Sequence, residues 1–340
     1  MMSFFNKIKS NLNCIIISIV LIVFAVMSLT GTIGRSDTVL LEKVAIAIIL
    51  ATSLGMVVGF LGELSLGHAG FMCIGAYIGG KLAATLESTL GNGFLTLAIA
   101  LVAGGLVAAL FGMIIGLPAL RLRGDYLAIV TLAFGEIVRT VVMNLPEGLF
   151  GGTLGLKTPR FDNKYLFIVA FILVLFCLAT IQNLLRSKHG RAISSIRDNE
   201  IAARAMGIDV TKYKLLVFTI SSFFAGIAGV LYSYTQSRVQ SASFGYNYSI
   251  EILVMVVLGG LGSINGSIIA ATLITFLNLK LQTKLTGDLA VLQNLVYAVI
   301  LILIVIYNNA PALKTFREKY NLKSLLAKLG RKKKNSKEVE

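Results

Sequence analysis

Apolar runs of membrane-crossing length alternate with short polar breaks along most of the chain. A bilayer core is crossed by roughly 20 consecutive apolar residues in a helix. Runs of that kind fall near 14–33, 44–61, 94–117, 165–185, 215–234 and 289–307, and another follows the polar break 62–70 as far as Leu86. The segment 124–144 is apolar enough to span but carries Asp125, Glu136 and Arg139. The segment 246–281 is interrupted by Gly259–Gly266 and reads as two short spans meeting at a glycine break. The pattern predicts an all-α polytopic integral membrane protein. It is expected to be a multi-helix bundle of about 8–10 transmembrane spans with broken helices and both termini cytoplasmic, the lower count applying if one broken segment on either side of residues 186–214 is re-entrant.

One long polar stretch interrupts this pattern. Arg186–Lys214 carries seven basic residues, together with Asp198, Glu200 and Asp209. Basic loops stay on the cytoplasmic side, so this stretch is expected to face the cytoplasm. It also carries helix punctuation. Asp198 or Asn199 can cap a helix running through Met206, Gly207 can end it, and Asp209 can cap the next one. Ile201 with Ala205, and Ala202 with Met206, are i,i+4 pairs that make a small apolar face. Such a helix suits another protein's groove; the alternative is a solvated loop between two spans.

Composition narrows the class. Hydrophobic residues make up 56% and charged residues 14%, against about 25% charged in a soluble domain; mean hydropathy is +0.84. The net charge of +15 does not signal nucleic-acid binding. Lys7, Lys9, Arg121, Arg123, the seven of the polar stretch and ten in the tail lie on one side, and eight lie on the other. That asymmetry is what orientation in a membrane demands. Lys7 and Lys9 before an apolar run resemble a signal peptide, but no small-x-small cleavage site follows, and the run reads as an uncleaved first span.

The glycine-rich break Gly62–Gly70 holds Ser65, Gly67 and His68. Irregular backbone at membrane depth survives where it is buried in protein or lines a wet cavity, and interrupted helices form transporter binding sites. The alternative is a plain cytoplasmic turn. Leu61–Leu64 weakly echoes Leu258–Leu261. Glycine pairs at spacing four (Gly55/Gly59, Gly75/Gly79, Gly112/Gly116, Gly262/Gly266) predict close helix packing. Glu136 and Arg139 stand at i,i+3 and can pair with each other. A proton relay through Glu63, His68, Asp125 and Glu136 would instead make the chain an ion-coupled secondary transporter.

Enzyme chemistry finds little support. Gly75–Leu82 nearly matches a phosphate-binding loop, but Leu82 stands where a hydroxyl should meet magnesium. If transport is driven by ATP, a partner ATPase must bind the ATP and Mg. Cys14, Cys73 and Cys177 lie in apolar runs without metal spacing, and two histidines are too few for a metal cluster. No catalytic set, metal site or cofactor fingerprint appears. The expected organisation is a transmembrane domain over 1–310 and a basic tail over 311–340. In that tail, Leu313, Phe316, Tyr320, Leu325, Leu326 and Leu329 stand at roughly helical spacing among lysines. It is expected to lie on anionic membrane lipid or to be disordered.

Four stretches together resemble the LivM-type permease subunits of branched-chain amino-acid ABC importers. They are Gly62–Phe71 with Gly75–Tyr77, then Leu122–Arg139, then Gly190, Arg191 and Ala192 with Ile196–Ala203 and Gly207, and Leu258–Ser263. The similarity runs over roughly 40–308. The resemblance implies that Glu200, Ala202, Ala203 and Gly207 match an EAA…G coupling segment that docks on an ATPase. Gly190, Arg191, Ala192, Arg197, Asp198 and Asn199 belong to the same segment. It also implies a homologous second permease subunit, two ATP-binding subunits, an extracytoplasmic substrate-binding protein and a place in the plasma membrane. Ser65, Gly67, His68, Tyr126, Thr131 and Glu136 are the candidates for the translocation path. A sister permease for urea, amides or other amino acids shares these features; a channel is a further alternative.

Overall fold

The computed structural model describes residues 34–284, apart from 92, 123 and 160–164, together with 298, 299, 302 and 306. The expected spans near 14–33 and 289–307, and the tail, lie outside the described residues or almost wholly so. The chain separates into two units, Met1–Leu279 and Lys280–Glu340, and the first holds almost all of the described residues.

The described residues form eleven α-helices. The long ones are α1 (Arg35–Gly55), α2 (His68–Leu90), α3 (Phe94–Ala119), α4 (Asp125–Asn144), α6 (Leu166–Arg186), α9 (Val210–Thr235) and α11 (Ile264–Lys284). Among the described residues, seven helices are long and apolar enough to cross a membrane, and these are the same seven. The short ones are α5 (Glu147–Phe150), α7 (Lys188–Asp198), α8 (Glu200–Ala205) and α10 (Tyr246–Gly259). The all-α polytopic expectation therefore holds.

Three local features add to or differ from the hydropathy pattern. Residues 35–43, ahead of the apolar run 44–61, form the first turns of α1, with Glu42 buried. The pair of short spans expected over 246–281 is one full-length helix and one short one. At 14 residues, α10 is about 21 Å long, less than a bilayer core of about 30 Å. Between α9 and α10 the chain runs through strand β2 (Arg238–Val239) and a 3₁₀ turn (Ser241–Phe244). The chain between α4 and α6 also carries structure. It holds α5, a 3₁₀ turn and strand β1 (Leu156–Lys157), and β1 pairs antiparallel with β2, Leu156 opposite Val239 and Lys157 opposite Arg238. Tyr77 Oη donates to Val239 O at 3.1 Å, and Thr158 Oγ1 donates to Ser233 O at 2.8 Å. These bonds pin the small strand pair to α2 and α9.

The centre of the unit is α9 packed against α1, α2 and α3. Small residues let these backbones touch, as close packing in lipid requires. A Cβ on Gly75 would collide with the backbone of Gly226, and one on Gly226 would come within 2.8 Å of Gly104 O. Gly112 faces Ser222 with no room for a methyl group. By contrast, α3 and α4 leave Leu106, Leu110, Ile114, Ile129, Ile137 and Val141 exposed. That is the expected finish for surfaces that meet lipid tails or another apolar chain.

Candidate functional site

The polar stretch 186–214 folds into two short helices, each with its own cap. Ser187 Oγ accepts from His189 N at 3.1 Å and from Gly190 N at 3.4 Å, which starts α7. Gly190 packs on the backbone of Leu185 where no side chain fits. Ile193 and Ile196 bury the inner face of α7, while Arg191 is exposed and Ala192 half-buried. Asn199 Oδ1 accepts from Ala202 N at 3.0 Å and caps α8. Asp198 does not cap; its Oδ1 accepts from Arg197 Nη2 at 3.0 Å. Gly207, at φ +81°, ends α8, with Gly207 N donating to Arg204 O at 3.0 Å and Ile208 N to Ala203 O at 3.1 Å. Asp209 then caps α9 through Lys212 N at 3.1 Å.

Helix α8 and its C-cap residue present large apolar side chains to the outside. Ile201 is 75% exposed and Met206 82%. Ala202 and Ala205 flank them; Ala205 is exposed, while Ala203 is buried against the body of the protein. Glu200 points inward: Oε2 accepts from Lys214 Nζ at 3.1 Å and Oε1 from Arg204 Nη2 at 2.9 Å. Lys214, with 4% of its side chain exposed, also donates to Glu63 Oε1. Large apolar side chains are thus turned outward, while Glu200 and Ala203 face the body of the protein and Arg204 is exposed.

Glu63 belongs to the break. Helix α1 relaxes into a π-helical turn over Met56–Leu61, passes Gly62 at φ +84°, and the chain stays non-helical through residue 67. The break is not a free turn. Ser65, Gly67 and His68 are buried. Leu66 N donates to Thr131 Oγ1 at 3.0 Å, Ala69 N donates to Ser249 Oγ at 3.2 Å, and His68 Nε2 shares a 2.9 Å hydrogen bond with Ser53 Oγ. Ser221 Oγ donates to Ser53 O at 2.8 Å. Gly67 lies so close on Thr131 O that a Cβ would stand 2.6 Å from it, and Gly70 meets Gly135 likewise. Residues of α1, α2, α4, α9 and α10 therefore meet at one polar knot. Four of the path candidates, Ser65, Gly67, His68 and Thr131, lie in it.

The other two stand apart. Tyr126 is 71% exposed at the start of α4. Glu136 Oε2 accepts from Arg139 Nε at 2.8 Å, and its Oε1 accepts from Tyr246 N, the first residue of α10, at 2.7 Å. Glu63, His68 and Glu136 each bond to a different partner. Among the described residues, no hydrogen bond joins any two of Glu63, His68, Asp125 and Glu136. No group of three or more His, Cys, Asp and Glu side chains among the described residues could hold a metal ion. A cavity of about 560 Å³ lies between α2, α3 and α4 and is lined by residues such as Ile74, Phe111, Ile114, Val130, Phe134 and Ile137. A zwitterion there would leave both charges unpaired.

Ser53, Ser249 and Lys214 carry this geometry, yet nothing in the order of residues singles out the two serines. A lysine at the start of an apolar run, opposite in sign to Glu63 and Glu200, is the only advance signal.

Known families bear on all of these elements. Residues 37–306 match the family described as the permease component of branched-chain amino acid transport systems. The chain belongs to that family. It is 37% identical over 327 residues to the high-affinity branched-chain amino acid permease protein LivM of Salmonella typhimurium, covering 87% of this chain and 74% of the relative. With LivM of Escherichia coli it is 35% identical over 354 residues, covering 95% and 79%. With the ribose import permease RbsC of Escherichia coli it is 29% identical over 254 residues, covering 68% and 73%. No solved structure matches. As a member of a transporter-permease family with seven membrane-capable helices among its described residues, this branched-chain permease component is a multi-pass membrane protein.

Proposed function

We propose that this chain is the membrane-spanning subunit of an ATP-driven importer that moves leucine, isoleucine and valine into the cytoplasm. The likeness to LivM proteins over most of both chains carries the substrate class. The lower identity to a ribose permease ranks a sister solute behind it. The partners are a homologous permease chain, two ATPase subunits that bind ATP and Mg, and a substrate-binding protein on the far side.

The structural observation behind the reading is the outward apolar face of α8. Ile201 and Met206 stand almost fully exposed on a capped helix at the polar end of the bundle. A short helix of this kind fits a groove on a partner protein, and the ATPase is the partner whose motion must reach the membrane. ATP then favours one arrangement of the ATPase pair, α8 moves with it, and the spans expose the path to the opposite face. Such a cycle works only if ATP and the delivered amino acid bind the two states with different affinity. The path would run between this chain and its homologue, with Ser65, Gly67, His68, Tyr126, Thr131 and Glu136 as the candidates to line it.

The test is a mild-detergent pull-down of the tagged chain from native membranes. ATPase subunits and a second permease should accompany the wild type. They should be lost from Ala203→Pro, because proline at that position removes the Ala203 N to Asn199 O bond of 3.0 Å. Retention of the ATPase by Ala203→Pro would refute α8 as the docking helix.

A further inference from the structure

Two basic side chains tie the α7–α8 segment to the break in the membrane domain, and both do so across long stretches of sequence. The first is Lys214, which donates to Glu63 Oε1 in the break and to Glu200 Oε2 at 3.1 Å at the start of α8. All three side chains are largely buried, with 4%, 12% and 22% exposed. The second is Arg197, the penultimate residue of α7. Its Nη1 donates to Gly59 O at 3.2 Å, inside the π-helical turn that precedes the break. Its aliphatic stem lies on Gly62, where a Cβ would stand 2.9 Å from Arg197 Cγ.

Physical chemistry makes these ties stiff. The last carbonyls of a helix lack intrahelical donors and carry the negative end of its dipole, so a guanidinium there is well placed. An ammonium shielded from water and shared by two carboxylates cannot leave either one cheaply, because a partner left alone is a buried unpaired charge. If α8 is displaced, Glu200 moves, and Lys214 must either give up Glu200 or follow it and pull on Glu63. Leu66 of the break is in turn bonded to Thr131 of α4, and Ala69, in the first turn of α2 directly after the break, to Ser249 of α10. A displacement of Glu63 therefore reaches α4 through the break itself and α10 through the start of α2.

We infer that the Glu63–Lys214–Glu200 bridge, braced by Arg197, is the interlock that carries movement of α8 to the break at 62–67, with Lys214 as its positioning residue. This rests on the importer reading above. Lys214 touches neither substrate nor ATP in this scheme; it sets how faithfully hydrolysis is converted into transport.

The readout is the number of ATP molecules hydrolysed per amino acid taken up. It is measured with the whole complex, co-purified from native membranes and reconstituted in liposomes with its binding protein and leucine. Lys214→Met keeps the length of the side chain and removes the charge. It should leave hydrolysis running while uptake falls, raising the ratio by about tenfold or more, the scale of a typical coupling free energy. Lys214→Arg should return most of the coupling. A merely structural lysine would lower hydrolysis and uptake together, through the amount of complex formed, and leave the ratio at the wild-type value; that result overturns the interlock. Should Lys214→Met fail to accumulate, Glu63→Gln decides. It leaves the Lys214–Glu200 pair in place, should raise the ratio several-fold, and contradicts the interlock if the ratio does not move. A wild-type chain recovered without any ATPase overturns the importer reading itself, a result separate from an unchanged ratio in a working complex.

Discussion

Glu136 Oε1 accepts the backbone N–H of Tyr246 at 2.7 Å, so a carboxylate from α4 sits at the N-terminus of the short helix α10. The contact joins residues far apart in sequence and leaves the other oxygen of Glu136 for Arg139 at 2.8 Å. A negative group at a helix N-terminus is favourable, and one that also answers a cation inside a membrane domain is more so. Glu136→Gln keeps an acceptor but loses the charge, and should cost about 1 kcal/mol. Glu136→Ala leaves Arg139 and Tyr246 N without this partner and should cost about 2–3 kcal/mol. Thermal unfolding of the purified chain in detergent should rank wild type above Gln above Ala.

The break depends on one hydroxyl from a neighbouring helix. Thr131 is buried, and its Oγ1 both accepts from Leu66 N and donates to Ala128 O, each at 3.0 Å. Thr131→Val keeps the shape and strands the Leu66 N–H, for a loss of about 1–3 kcal/mol. Thr131→Ser should lie near wild type. Hydrogen exchange at residues 62–67 reads the same difference locally, with faster exchange in Thr131→Val alone.

Glycine contacts at the α3–α9 crossing set a second test. Gly226→Leu places a side chain against Ala108 Cβ and the backbone of Gly104 and Gly105. None of these neighbours can retreat, since all belong to a packed helix. Membrane accumulation of this variant should drop several-fold. Gly148→Ala, which meets nothing within 4 Å, should accumulate like the wild type. Immunoblots of membrane fractions are sufficient.

The cap of α8 predicts a separable effect. Asn199→Ala removes the acceptor of Ala202 N and should destabilise the helix by about 1 kcal/mol, while Asn199→Asp keeps it. Hydrogen exchange over 200–206 should quicken in Asn199→Ala. Ile201→Asp with Met206→Asp should leave that exchange unchanged and abolish recovery of ATPase subunits, because the altered face is solvent-exposed within this chain.

Much of this molecule is readable from periodicity and punctuation. Long apolar runs name the long helices, and Asn199, Gly207 and Asp209 bound the short helix α8 because caps act on their own neighbours in sequence. The spacing of Glu136 and Arg139 likewise gives their pairing. What sequence hides is whatever depends on contacts across the fold. Leu66 is bonded to Thr131, Ala69 to Ser249 and Glu63 to Lys214, and neither helical spacing nor charge along the chain specifies those partners. The same limit explains the break. Its glycines suggest irregular backbone, but only the neighbouring helices decide whether that backbone lies in water or in the core. The structured loop over 147–157 is hidden too, since strand β1 exists by virtue of β2, which lies on the far side of α6–α9 in the sequence.

The most direct measurement is leucine uptake into liposomes that hold the co-purified complex, with ATP enclosed on the α8 side and binding protein on the other. Uptake should require ATP, fail with a non-hydrolysable analogue, and continue when ionophores collapse every ion gradient. Uptake by this chain alone that follows a proton or sodium gradient and ignores ATP would contradict the importer, and would turn attention to the intramembrane carboxylates instead.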